Sequence, residues 1–302
     1  MELDVMKNLS INGTFDPNTY HHIQRHYYLD GFLAILGIGS ITSCILIIII
    51  MRKYQILRTR TNSYVVNLCV SNILYLFFSP LFLNLFDAAE RISSHEICIL
   101  DEALMLLFLG IFVFACTILA DWYIINYKSL NASIRCRASY NFITLTIWLI
   151  ILSLFLTICI QCSYGITIFP MISITAIFVF IFSFVFVLII HIVKFFRSRF
   201  SSGVVAKSNM ELAIVTCYFL CWLPNWGFTF SFLFASGRSS LDAELSTFGI
   251  AHTYPIVLLA LLYYKDRDFK LCFNNFLKSE KMETNANDEG RRYSKEHLSA
   301  LV

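Results

Sequence analysis

Asp121 is the residue with the most evident chemistry in this chain. It ends an apolar run, "ALMLLFLGIFVFACTILA" (Ala103–Ala120), and is followed at once by Trp122 and Tyr123. A carboxylate at the edge of such a run is costly unless it is hydrated or paired. The sequence therefore predicts a functional clasp at Asp121.

A second group of informative residues lies in "FLCWLP" (Phe219–Pro224). Pro224 in a membrane helix frees a backbone carbonyl and produces a kink, so that one half of the helix can swing while the other stays packed. Trp222, just below it, is bulky enough to sense what fills the space above. The pattern predicts a switch, although Pro and Trp are also common in spanning helices. Asn72, deep in another apolar run, is expected to hydrogen-bond a neighbouring helix.

Enzyme and carrier functions receive little support from the sequence. It contains no nucleophile–base pair and no metal-ligand cluster, so an enzyme, a cofactor and a bound metal are not expected. The net charge of +3 gives no ground for a nucleic-acid partner. A membrane transporter remains an alternative, but such carriers need ionisable groups near the midplane. Only His191 and His252 lie within apolar runs, and both are near the ends.

Membrane helices must position these residues. The 302 residues are 58% hydrophobic and 14% charged, which is too apolar for a soluble domain. A span needs about 20 apolar residues, and single spans are predicted at Gly31–Met51, Thr61–Phe86, Ala103–Ala120, Leu212–Gly237 and Leu245–Tyr264. A longer run, Ala138–Val193, must fold back at Gln161–Gly165 and Pro170. The predicted fold class is an all-α membrane protein with a seven-transmembrane helix bundle.

The basic residues predict that the N-terminus is outside. With that orientation only Arg91 and Arg238 fall in outer loops, whereas the inner loops hold Arg52, Lys53, Arg58, Arg60, Lys128, Arg135, Arg137, Lys194, Arg197, Arg199 and Lys207. Asn8 and Asn12 begin Asn-x-Ser/Thr triplets and are predicted glycosylation sites.

The predicted organisation has four parts. Residues 1–29 form an extracellular tail, 30–264 the bundle, 265–277 an amphipathic interfacial helix and 278–302 a disordered cytoplasmic tail. The short helix is predicted because Phe269, Phe273, Phe276 and Leu277 share one face. Cys272 beside them is a palmitoylation candidate, or equally an ordinary buried cysteine.

In these motifs the chain resembles the rhodopsin-like (class A) G-protein-coupled receptors, as a divergent member. Asp121-Trp122-Tyr123 stands where that family has Asp-Arg-Tyr, and "FLCWLP" is similar to its Cys-Trp-x-Pro motif. Other matches are Asn67, Leu68, Trp148 and Pro255, whereas Asn72 stands where the family usually has Asp, and Tyr254 where Asn is usual.

The resemblance implies a plasma-membrane receptor that signals to heterotrimeric G proteins by movement of the sixth helix. It implies activation and coupling roles for Asp121, Trp122, Tyr123, Asn72, Trp222, Pro224 and Pro255. It also implies a Cys98–Cys162 disulfide, for which Cys159 competes and free thiols are the alternative. Because Trp122 cannot pair as Arg does, a non-signalling or constitutively active homologue with a binding or decoy role is the alternative function. Trp122 would then be an interfacial aromatic.

The ligand pocket is predicted by depth at Met105, Phe108, Trp222, Asn225, Trp226, His252 and Tyr254, each of which could equally be core. Met105 or Leu104 stands where amine receptors of the resembled family carry Asp, so a monoamine is not expected. The outer acids outnumber the outer arginines, and such a rim would attract a basic or amidated peptide; a solvated rim without a partner is the equal alternative. These acids are Asp87, Glu90, Glu96, Asp101, Glu102, Asp242 and Glu244.

Overall fold

A computed structural model describes residues 17–78, 94–127, 137–164, 169–200, 210–234 and 241–278, with side chains at 31–78, 98–100, 102–123, 141–164, 177–193, 210–231 and 246–278. These residues are almost entirely helical. The helices are α1 (Pro17–Lys53), α2 (Arg60–Phe78), α3 (Ser94–Tyr127), α4 (Arg137–Ser163), α5 (Phe169–Phe200), α6 (Met210–Phe234), α7 (Leu241–His252) and α8 (Tyr254–Lys265), followed by α9 over 267–278. The glycosylation candidates Asn8 and Asn12 and the tail beyond 278 lie outside the described residues.

Five helical segments of the described chain are long and apolar enough to cross a membrane. They are Gly31–Lys53, Cys98–Tyr123, Asn141–Ser163, Met210–Ser231 and Ser246–Lys265. α5 adds a shorter apolar stretch, Ile177–Val193, and α2 has 19 residues. The all-α membrane protein predicted from the sequence is confirmed, whereas the count of seven spans stays a prediction.

The longest apolar run divides where a turn was predicted. α4 ends at Ser163, and the Tyr164 N–H donates to the Gln161 carbonyl at 2.9 Å before α5 begins at Phe169. The α4 side that faces away from the bundle exposes large apolar side chains such as Phe142 and Leu149. Lipid chains are the natural cover for such a surface.

The last predicted span is broken at Thr253, between α7 and α8. Pro255, at the second position of α8, has no N–H to continue the hydrogen-bond ladder. Next to this break, the carbonyl of His252 accepts a hydrogen bond from the Ser40 hydroxyl of α1. Ser40 is fully buried. The Ser40–His252 bond therefore fixes α1 against the break in the last span.

α3 lies at the centre of the bundle. It packs against α2, α4, α5 and α6, while α1 packs against α2, α7 and α8 and so closes the ring of helices. The Trp148 indole donates to Asn67 Oδ1 at 2.9 Å and joins α4 to α2. The Asn72 amide donates at 2.9 Å to the Leu68 carbonyl of its own helix, and its hydrogen bond to a neighbouring helix stays a prediction.

α9 begins at a side-chain cap. Oδ1 of Asp266 accepts hydrogen bonds from the backbone N–H groups of Asp268 and Phe269, at 3.0 and 3.1 Å, which satisfies two of the free donors at the helix start. Phe269 and Phe276 are buried, as their shared face predicted, but Leu277 is 42% exposed. The helix thus packs onto the bundle along a narrower face than expected.

Candidate functional site

Six ring-bearing side chains from four helices meet in the interior, and we call them the aromatic cluster: Tyr75 of α2, Phe108 of α3, Trp222 and Trp226 of α6, and Phe248 and His252 of α7. Phe108 lies between the two indoles, with ring centroids 4.6 Å from Trp222 and 4.9 Å from Trp226. Tyr75 is 5.8 Å from both Trp222 and His252. The cluster therefore joins α2, α3, α6 and α7 through direct ring contacts.

The cluster includes four of the residues predicted for the pocket. Phe108, Trp222, Trp226 and His252 come together as expected from their depth. Tyr254, the first residue of α8, has its ring 5.4 Å from that of Tyr218 on α6, which in turn is 6.2 Å from Trp222. Met105 and Asn225, the other predicted members, are half-buried. Their contribution to a pocket stays a prediction.

Sequence reasoning missed Tyr75 and Phe248. Both are single aromatic residues in helices rich in apolar side chains, and nothing in their local pattern separates them from core residues. Only tertiary structure brings the ring of Tyr75 to those of Trp222, Phe248 and His252. Their place in the cluster is a property of tertiary structure.

At the other end of α3, charged and polar side chains connect three helices. Arg60 Nε of α2 lies 3.1 Å from Asp121 Oδ1 of α3, and the Asp121 side chain is only 5% exposed. Arg60 also contacts the Tyr64 hydroxyl, at 3.4 Å. The Thr61 hydroxyl donates to Glu211 Oε1 of α6 at 3.4 Å. We call these five residues the polar clasp, and the pair at its centre supplies the counter-charge that buried Asp121 requires.

The start of α2 is built so that Arg60 can reach Asp121. The Thr59 hydroxyl accepts the Asn62 N–H at 3.2 Å and caps the helix, while the Asn62 amide holds the Leu57 carbonyl at 2.9 Å. These bonds fix the turn that leads into α2. Arg60 was not singled out by sequence reasoning, although its place in a short basic loop, on the same predicted side as Asp121, was a usable signal.

The side chains of Trp122 and Tyr123 differ in burial and in what they contact. Trp122 is 4% exposed and belongs to the core, so it does not face the lipid headgroups as an interfacial aromatic would. Tyr123 is 40% exposed, with its ring 6.3 Å from that of Phe186. Trp122 is therefore a packed core side chain next to an acid that pairs with Arg60 of another helix.

A disulfide joins Cys98, near the start of α3, to Cys162, near the end of α4, with Cα atoms 6.0 Å apart. Its rival Cys159 is a free thiol. Glu102, one turn further along α3, is 2% exposed and so is not the rim residue expected from the sequence. The side chains of the other rim acids lie outside the described residues.

Cys272 faces the bundle and is 6% exposed. Burial, with a smaller effect of the negative charges of Asp268 and Asp266, raises the pKa of its thiol. Both the position and the smaller thiolate fraction are unfavourable for acylation. Its palmitoylation stays a prediction.

The disulfide and the polar clasp are far apart along α3. The 23 residues from Cys98 to Asp121 span about 35 Å of helix, which matches the thickness of a bilayer core. α6 contributes both to the clasp, through Glu211, and to the aromatic cluster, through Trp222 and Trp226. Pro224 lies between these two indoles, within the helix.

Comparison with known proteins adds no assignment: no family model matches the chain, and no curated protein matches it. Within the described residues, no group of three or more His, Cys, Asp or Glu side chains is placed to hold a metal ion.

Proposed function

We propose that the chain is a seven-helix receptor of the plasma membrane, similar to the rhodopsin-like G-protein-coupled receptors. In this proposal α7 and α8 together make the seventh span, the N-terminus is extracellular, and an extracellular ligand bound at the aromatic cluster acts on a heterotrimeric G protein at the polar clasp. The Cys98–Cys162 disulfide then lies on the oxidising, outer side, where such bonds persist.

The observation that carries the proposal is the double role of α6. Its two indoles pack in the aromatic cluster, and its Glu211 accepts a hydrogen bond from Thr61 in the polar clasp. A ligand that displaced Trp222 would act on a helix with a proline two residues away, where bending costs least. If the end of α6 that carries Glu211 moved, the Thr61–Glu211 hydrogen bond would break early, because at 3.4 Å it is already long.

A second candidate is a non-signalling binding protein built on the same bundle. It is favoured by Trp122, which is buried, and by Arg60, whose guanidinium is engaged with Asp121. In this candidate no cation is presented to a G protein at the clasp, and the aromatic cluster binds a ligand without a signalling output.

Nucleotide exchange on a panel of Gα proteins distinguishes the two. The full-length chain is expressed in cells at matched surface density as wild type, Arg60→Gln and Thr146→Ala. The Thr146 hydroxyl donates to the Phe142 carbonyl of its own helix in an exposed hydrogen bond, so its variant is the control. We expect Arg60→Gln to change basal exchange on at least one Gα protein while Thr146→Ala leaves it unchanged. Exchange at the level of cells without receptor, for all three chains on every Gα protein, would overturn the receptor proposal in favour of the binding protein.

A further inference from the structure

Three nitrogen atoms in the aromatic cluster have no hydrogen-bond partner among the described residues: Nε1 of Trp222, Nε1 of Trp226 and Nε2 of His252. The three side chains are 2%, 5% and 4% exposed. Each buried polar atom left unpaired costs about 1–3 kcal/mol, and native proteins contain few of them. Phe108 contacts both indoles, and Trp222 lies 6.4 Å from His252. Three unpaired nitrogen atoms within one such cluster indicate that it is completed by another molecule.

The chemistry of that molecule follows from the protonation of His252. Its Nδ1 lies 2.7 Å from the Phe248 carbonyl oxygen. Because a carbonyl only accepts, Nδ1 carries the hydrogen, and in the neutral ring Nε2 is then an acceptor. The described rings around the imidazole are those of Phe248, Tyr75 and Trp222. None of the three carries a carboxylate that would stabilise an imidazolium, which favours the neutral ring. The indole N–H groups, in contrast, can only donate.

A ligand that pairs with these three nitrogen atoms must therefore accept hydrogen bonds from the indole N–H groups and donate one to the imidazole nitrogen. A carboxylate cannot donate to Nε2, and an ammonium cannot accept from Trp222 or Trp226. Either ion would also lose its hydration among aromatic rings, at a cost of several kcal/mol. An uncharged group with both a carbonyl oxygen and an N–H offers the acceptor that the indole N–H groups need and the donor that Nε2 needs.

We propose that the aromatic cluster binds an uncharged ligand through a carboxamide or chemically equivalent group, with an apolar body packed against Phe108 and Tyr75. This inference rests on the proposed function and narrows its ligand class. Of the two ligands expected from the sequence, a basic peptide and an amidated peptide, this ligand class excludes the basic one and includes the amidated one. The carboxamide can belong to a small molecule or to the amidated end of a peptide, because the two share the same donor and acceptor.

Matched probes of different charge test the proposal on the full-length chain in phosphatidylcholine nanodiscs. Benzamide, benzoate and benzylamine share a ring and differ in the polar group, and N-acetylphenylalanine amide with its free acid represents the peptide end. At about 10 mM, ten times a fragment Kd of ~1 mM, benzamide should raise Tm by roughly 2–4 °C. Benzoate and benzylamine should not. A larger shift with the amidated amino acid than with benzamide identifies a peptide end as the source, and the reverse identifies a small molecule.

Variants locate the binding. His252→Phe keeps a flat ring but removes the acceptor, and Trp226→Phe removes one donor, so each should weaken benzamide binding about 10-fold. His252→Gln retains a donor and an acceptor and should recover part of the affinity even if the Phe variant folds poorly. Tyr264→Phe alters a 78% exposed tyrosine and should bind like wild type.

The outcomes separate this inference from the proposed function. A Tm shift with benzylamine or benzoate equal to that with benzamide would overturn the uncharged ligand class, and so would no shift with any probe, which would assign the three nitrogen atoms to water. Gα nucleotide exchange in the same nanodiscs reports signalling independently. Binding of benzamide without exchange on any Gα protein would overturn signalling and leave the ligand class intact.

Discussion

Removing the two partners of the Arg60–Asp121 pair should have unequal effects on stability. The pair lies at 3.1 Å, with Asp121 5% and Arg60 27% exposed. Arg60→Gln leaves a buried carboxylate without its cation, whereas Asp121→Asn leaves a long cationic side chain that can turn towards water. We therefore expect Arg60→Gln to be the more destabilising change.

The magnitude follows from the geometry. Coulomb attraction at this distance is about 5 kcal/mol at an effective dielectric constant of ~20, before desolvation is subtracted. Breaking a fully buried pair costs about 3–5 kcal/mol, and the partial exposure of Arg60 lowers that figure. We expect a loss of about 1–3 kcal/mol for Arg60→Gln and less than about 1 kcal/mol for Asp121→Asn. The double variant should be more stable than Arg60→Gln alone, because it has no buried carboxylate left without a cation.

Wild type, Arg60→Gln, Asp121→Asn and the double variant form a double-mutant cycle. Their thermal unfolding is measured in detergent at one scan rate. Each kcal/mol corresponds to roughly 2–4 °C in Tm for chains of 150–250 residues, and somewhat less here. We expect the double variant to unfold at a temperature several degrees above that of Arg60→Gln. Additive losses, or equal losses for the two single variants, would show that the carboxylate does not depend on Arg60 for its counter-charge.

Three further predictions concern other parts of the chain. Cys98→Ser and Cys162→Ser should reduce surface delivery to the same extent, because each removes one constraint of about 2–5 kcal/mol, while Cys159→Ser should not; quantitative surface labelling checks this, and normal delivery of both bridge variants would contradict it. Trp122→Arg should change Gα nucleotide exchange at matched surface density, since a second guanidinium beside the acid competes with Arg60; unchanged exchange across the panel would leave Trp122 a packing residue. Because the pKa of the Cys272 thiol is raised, its thiolate is scarcer than that of a free cysteine at any given pH, and its alkylation rate should rise with pH later than that of a model peptide; mass spectrometry of the modified peptide measures the profile, and a coincident or earlier rise would refute it.

Much of the fold was predictable because apolar run length is dictated by the membrane. The turn at Tyr164 was predictable too, since a run of that length has to fold back. The break at Thr253 was not, because Pro255 near the end of a span permits a break without requiring one. At the break the His252 carbonyl accepts a hydrogen bond from the Ser40 hydroxyl of α1, a residue so distant along the chain that no local sequence pattern reveals it.

The candidate sites divide in the same way. The need of Asp121 for a counter-charge was predictable from one residue and its surroundings, but the identity of the partner was not, because Arg60 is 61 positions away along the chain. Depth along a helix grouped Phe108, Trp222 and His252, whose rings the structure brings together. It could not find Tyr75, since which face of α2 turns inward depends on how that helix packs against its neighbours.

The Ser40–His252 bond also bears on how the protein is made. Its two residues are 212 positions apart, so at about 5–20 residues per second the ribosome needs roughly 10–40 s after Ser40 to synthesise the acceptor. α1 can meet α2 early, but its contacts with α7 and α8 must wait for the end of translation. The first helix synthesised is thus the last to be fully docked, and a nascent chain cut short before α7 would present an unfinished α1 surface to the quality-control machinery of the membrane.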